Sequence, residues 1–236
     1  MILALETAST ACSAALLDEA GAVVAESLSI EGPAHSQRLL PGVHEVLTAA
    51  GVGLAAVDTV VASLGPGAFT GLRIGVATAR ALAQATGVRL VGVPTLAALA
   101  LALAEGEAGA SASSFVPLID GRRGEVFAAV YDREDDEELG LRLQEVVPLV
   151  VLKLDDLARF LSRFGGAAVG GDGAVVAADR LPPAVVLDRA VAAPTATMVG
   201  RAWVHGAPGT VGGFADVLPI YGRRPDAVPS RVRGAM

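Results

Sequence analysis

A glycine loop, Gly65-Pro66-Gly67-Ala68-Phe69-Thr70-Gly71, stands between an apolar β-branched run and a helical pattern. Exposed backbone amides at such a helix start can hold an anion. The spacing fits neither common phosphate motif: the dinucleotide fingerprint needs its third glycine where Thr70 stands, and no Gly-Lys-Ser/Thr follows to make a P-loop. A structural tight turn and a nucleotide cradle both stay open, the turn being the simpler. Behind the loop, Gly71, Gly75, Ala79 and Ala83 recur every four residues along one helical stripe. Glycine inside a helix costs about 0.5–1 kcal/mol relative to alanine. The close approach of another backbone must offset that cost, and it belongs either to a second helix or to a tight seat on the chain's own sheet.

Other chemistries find less footing. His44-Glu45-Val46-Leu47-Thr48 starts like the zinc-protease helix, but Thr48 replaces the second histidine, which disfavours a metalloprotease. His35 lies nine residues before His44, a poor spacing for one helical face, and His205 is isolated. No G-x-S-x-G elbow occurs, and no histidine is set by local sequence beside a serine. Glu6, Asp120, Glu125 and Asp172 follow or flank predicted strand ends, where carboxylates serve as acids and bases or simply cap loops. Cys12, the sole cysteine, lies inside a predicted strand and reads as a small core residue. Arg223, Arg224, Arg231 and Arg233 face one acid, Asp226, near the C-terminus; they read as a solvated tail, with RNA or partner contact as the alternative.

These groups need elements to position them. Ile2 to Glu6, Cys12 to Leu17 and Val23 to Ile30 read as a meander with turns at Thr7 to Thr10 and Asp18 to Gly21. Ser36 caps a helix carrying Leu39, Leu40, Val43 and Leu47 at helical spacing, which Pro41 kinks or whose start it shifts. Thr59 to Leu64, the glycine loop, a helix from Thr70 to Thr86 and a strand from Val88 to Val93 make a βαβ unit with parallel pairing. Further on come a helix at Leu96 to Glu105, strands near Phe115 to Ile119 and Val126 to Tyr131, and an acidic hairpin tip at Glu134 to Glu138. A helix at Leu154 to Phe164, a strand at Ala167 to Val169 running into Gly170-Gly171-Asp172-Gly173, and a helix at Thr195 to Gly206 follow. The simplest architecture is two α/β halves, 1–105 and 106–236, with the last helix (195–206) packing back on the first half.

A chain of 236 residues, 53% hydrophobic, can bury a full core. Its net charge of -7 argues against gripping nucleic acid unaided, because Lys and Arg supply most of that affinity. No secretory signal is read at the N-terminus. The longest apolar run, Thr95 to Ala104, is well short of the roughly 20 residues of a bilayer span. A cytoplasmic protein is expected.

Several segments together resemble one family. Leu3-Ala4-Leu5-Glu6-Thr7-Ala8-Ser9 with Cys12-Ser13-Ala14-Ala15-Leu16, His35-Ser36-Gln37-Arg38-Leu39-Leu40-Pro41, and above all G-P-G-A-F-T-G-L-R-I-G from Gly65 to Gly75 are similar to segments of the TsaB family of tRNA threonylcarbamoyladenosine biosynthesis proteins. Ile119 to Phe127 and Pro219 to Arg223 corroborate. The resemblance implies two subdomains of the actin-like ATPase (ASKHA) fold, each a mixed sheet with flanking helices. It also implies a non-catalytic scaffold that pairs with the catalytic subunit TsaD, works with the ATPase TsaE, homodimerises when alone, meets tRNA only through the complex and binds no membrane. ATP and metal would belong to the assembled complex. TsaD holds a metal through two histidines four apart; the matching stretch here, Val93 to Leu99, has Thr95 and Leu99 instead. Glu6 stands where many members carry Asp, Gly121 where Ala is usual and Phe127 where Tyr is usual. The candidate interface is His35, Leu39, Leu40, Val43, Leu47, Gly71, Arg73, Gly75, Ala79 and Ala83, and the resemblance turns the small-residue stripe toward a partner helix. The alternative is an independent ATP-using enzyme of the same fold, with Thr7, Ser9, Thr10, Gly65 and Gly67 around phosphate and Asp172, in the Gly170 to Gly173 loop, near adenosine.

Overall fold

The computed structural model describes residues 1–9, 11–29, 35–136 and 140–223. β1 (Ile2–Glu6), β2 (Cys12–Leu17) and β3 (Val23–Ser29) form the antiparallel meander. α1 (His35–Ala49) follows; Pro41 lies within it, so the helix start is not displaced. β4 (Thr59–Ser63), α2 (Phe69–Thr86) and β5 (Arg89–Val93) make the predicted βαβ unit, with β1, β4 and β5 parallel. β1 and β4 are buried along their whole length, since helices cover both faces of the sheet. Leu3, Leu5, Val60 and Ala62 meet α1 and α2 on one face. Ile2, Ala4 and Val61 point the other way, as period two requires, into the cluster that also holds α3 (Thr95–Glu105).

The second sheet is built from β6 (Ser114–Arg122), β7 (Glu125–Asp136), β8 (Gly140–Lys153), β9 (Ala168–Gly170) and β10 (Val186–Leu187), in the order β10-β9-β6-β7-β8. α4 (Leu154–Leu161) and α5 (Asp172–Val176) cover its outer face. α6 (Ala196–Val204) packs on β1, β2 and α3, where the Ala196 amide donates to Ser13 Oγ at 2.8 Å. β11 (Val211–Gly212) pairs with β5, completing the first sheet as β11-β5-β4-β1-β2-β3. α3 and α6 thus lie between the sheets, in one cluster with Phe115, Ile119, Phe127 and Tyr131.

β8 was not predicted. It is the outer strand of its sheet and only Leu143 is buried along it. Pro148, tolerated at an edge, interrupts the alternation that would have marked it. The tip of the β7–β8 hairpin lies outside the described residues.

Candidate functional site

The carboxyl ends of β1, β4, β6 and β9 converge between the two sheets. Glu6 ends β1 with no solvent exposure. One carboxylate oxygen accepts the Ala8 amide; the carboxyl also lies beside the buried Ser63 hydroxyl at the end of β4. Burial is the largest influence on this carboxyl. Although the Ala8 amide and Ser63 hydroxyl pull against it, burial and the charge of Asp172 push Glu6 up to about 7. Asp172 opens α5 and accepts the Asp120 amide at 2.9 Å. Its carboxyl is also raised, first by burial; the Asp120 amide opposes this and the Asp120 carboxylate adds to it. Asp120 accepts the Arg122 amide at 2.8 Å and pairs with its guanidinium at 3.1 Å. Asp120 and Asp172 are thus in contact and Glu6 feels the charge of Asp172, while Glu125 pairs with Arg223. Among the described residues no group of three or more His, Cys, Asp or Glu is placed to hold a metal ion.

The polar groups considered for phosphate are bonded within the chain. Thr7 Oγ1 donates to the Gly71 carbonyl at 2.8 Å, Ser9 Oγ accepts the Ala11 amide at 3.1 Å, and the Gly65 amide donates to Thr95 Oγ1 at 3.1 Å. The Ala68 amide donates to the Ala8 carbonyl at 2.6 Å, and a Cβ on Gly67 would stand 2.1 Å from that same oxygen. The bend after β1 thus fills the concavity of the glycine loop. Thr10 lies outside the described residues, as do Arg224, Arg231 and Arg233.

The same bend accounts for the small-residue stripe of the candidate interface. A Cβ on Gly71 would lie 2.1 Å from the Thr7 carbonyl oxygen, and one on Gly75 would lie 2.2 Å from Thr7 Oγ1. Ala79 and Ala83 are buried against the first sheet. The stripe seats α2 on the chain's own bend and sheet. Leu39 and Val43 also face inward, and half-buried Leu47 packs on the same core. His35 Nε2 reaches the carbonyls of Ser9 and Ala11 at 3.0 and 3.3 Å. Of the candidate interface residues, Leu40, 54% exposed, and Arg73 point outward.

Around Arg73 lies a surface that spacing did not reveal. Its guanidinium sits 3.9 Å from the Phe69 ring centroid and its Nε donates to Tyr221 Oη at 3.0 Å; the two rings lie 5.0 Å apart. Two turns on, Arg80 donates to the carbonyls of Phe214 and Val217. Residues 214–223 therefore return along α2. The Ile220 amide then donates to the Leu64 carbonyl at 2.6 Å, and Arg223 reaches the carbonyls of Gly121 and Arg122 at 2.8 and 3.1 Å. The segment ties α2 to the β6–β7 turn of the second sheet. Phe69 and Arg73, four apart on a helix, were a local signal for this cluster; Leu218 and Tyr221 had none.

Two mixed sheets with helices between and outside them, and strand ends from both meeting at buried carboxyls, define a paired α/β architecture. The family model for TsaD, tRNA N6-adenosine threonylcarbamoyltransferase, matches residues 15–166. The tRNA threonylcarbamoyladenosine biosynthesis protein TsaB of Escherichia coli K12 is 38% identical over 136 residues, 57% of this chain and 56% of that protein. TsaB of Bacillus subtilis 168 is 35% identical over 147 residues, 62% of this chain and 59% of that protein. The chain spans somewhat over half the length of these curated relatives. YeaZ from Pseudomonas aeruginosa is 33% identical, with a TM-score of 0.71 covering 93% of this chain and 98% of that one. The chain belongs to the TsaD family, and within it to the TsaB group of threonylcarbamoyladenosine biosynthesis proteins. No helix among the described residues is long and apolar enough to cross a membrane.

Proposed function

We propose that the chain is a scaffold and activator. It docks a TsaD subunit, steadies its active conformation and, with TsaE, helps build the complex that modifies the adenosine beside the anticodon of ANN-decoding tRNAs. It contributes surfaces and no catalytic groups, homodimerises when alone and works in the cytoplasm. ATP and metal belong to the assembled complex. The observation that carries this reading is a contrast between two faces. Thr7, Ser9, Gly65 and Gly67 are committed to contacts within the chain, whereas Phe69, Leu218 and Tyr221 stand exposed around Arg73. Rings and an arginine clustered on a surface are the composition of binding hot spots.

Light scattering of the chain mixed with the TsaD subunit of its own organism tests the reading. A heterodimer is expected for wild type and none for Arg73→Glu, with the variant's circular dichroism unchanged. A wild-type chain that ignores TsaD overturns it. Nucleotide hydrolysis by the isolated chain, lost in Asp172→Asn, supports the independent enzyme instead.

A further inference from the structure

Between α2 and the returning segment runs a groove of about 530 Å³, lined by Arg73, Val76, Ala77, Arg80, Leu218 and Tyr221 together with their neighbours. Its floor is largely apolar and its rim holds two guanidiniums. Arg73 and Arg80 are seven residues apart, so they lie on the same face of α2, two turns or about 10 Å from each other. Neither meets a carboxylate among the described residues. Arg73 bonds a hydroxyl and Arg80 bonds two carbonyls, neutral acceptors that fix the guanidiniums and leave their charge uncompensated. In a chain with net charge -7, this is a local positive site framed by the exposed side chains of Phe69, Leu218 and Tyr221.

We infer that the groove takes an amphipathic helix of the partner protein whose apolar face is flanked by two carboxylates at positions i and i+7. The inference rests on the docking reading above and specifies its chemistry. A helix laid along α2 at the usual 8–10 Å brings side chains two turns apart opposite both guanidiniums, and its apolar face covers Val76, Ala77 and Leu218. Charge complementarity sets the choice of occupant. A second copy docking groove to groove would set arginines against arginines. An RNA strand would offer phosphates to an apolar floor on an acidic protein.

The test uses the full chain and two stapled 18-residue helical peptides with the same leucine/alanine face, one carrying Glu at i and i+7, the other Gln. Fluorescence anisotropy is expected to give about tenfold tighter binding for the Glu peptide at low salt, a gap that closes in 0.5 M salt as the charges are screened. Arg73→Gln/Arg80→Gln removes the gap. Tyr221→Phe deletes the acceptor on Arg73 and not its charge, so it keeps the gap and separates charge recognition from a loosened return segment. Leu218→Ala weakens both peptides alike. Equal affinity for the two peptides, including none for either, overturns the inference. So does a gap that survives in Arg73→Gln/Arg80→Gln, or tighter binding of an RNA hairpin than of the Glu peptide. If TsaD binds the chain and the Glu peptide does not compete, the groove chemistry fails while the scaffold stands; if the Glu peptide is preferred and TsaD does not bind, the scaffold alone fails.

Discussion

Substituting Glu6→Gln makes the stability of this fold less dependent on pH. Glu6 has no solvent exposure and its carboxyl is raised from 4.5 to about 7, which corresponds to about 3 kcal/mol between its two protonation states. Between those two pH values the folded chain holds a proton that the unfolded chain has released. Stability contributed by this group is therefore fully present below pH 4.5, falls as pH rises through the window and is flat above it. The neutral amide of the Glu6→Gln protein keeps an oxygen for the Ala8 amide and places its NH2 beside the Ser63 hydroxyl.

Urea unfolding followed through Trp203, the sole tryptophan, at pH 5, 6, 7 and 8 measures the effect. The expected result is a variant-minus-wild-type difference that grows by about 3 kcal/mol in the variant's favour from pH 5 to pH 8. Using the difference cancels titrations common to both proteins. Asp172, raised in the same direction and charged against Glu6, provides an internal check: adding Asp172→Asn to Glu6→Gln gives less than the sum of the two single effects. If the curves stay parallel across this range, Glu6 is not held as a protonated buried carboxyl and the account of the strand-end cluster is wrong.

Three further outcomes are expected. Gly75→Ala destabilises the chain by about 3 kcal/mol, because its Cβ would stand 2.2 Å from Thr7 Oγ1; thermal melts check this, and Thr7→Ala in the same chain recovers part of the loss. Arg223→Ala, which removes a half-exposed pair with Glu125 and two bonds to the β6–β7 turn, costs about 1 kcal/mol. Hydrogen exchange reads it as faster exchange at 119–126 and 214–223. Gly124→Ala costs about 1–2 kcal/mol in urea midpoints, since Gly124 holds φ 76° with nothing within 4 Å of an added Cβ, so the effect is backbone strain alone.

The sequence made the βαβ unit plain because a buried β-branched strand, a glycine loop and an amphipathic helix each carry their own period. β8 escaped because an edge strand buries too little to alternate. The strand-end carboxylates were legible one by one as residues that end strands, but their grouping was not, since Glu6 and Asp172 come from different sheets. The glycine stripe shows most clearly where spacing stops being informative. It identifies a helix face that something must approach closely, and it is silent on what approaches; here it is Thr7, 64 residues earlier than Gly71. The same limit applies to α1 and α2, because Leu39 and Leu40, or Gly71 and Arg73, differ in direction by a rotation that periodicity leaves undefined until the sheet is in place.

A consequence for docking follows. A bulky residue at Gly75 reports on folding, so a lost complex in Gly75→Arg says nothing about an interface. The outward face is assembled from α2 and a segment more than a hundred residues later, and the two are joined by Arg73, Arg80 and, beyond them, Arg223. Arg223 lies outside the groove and secures only the far end of that segment. If the groove is the docking site, loosening this tie weakens partner binding without touching a contact residue, whereas a site on α1 alone would leave binding in Arg223→Ala unchanged.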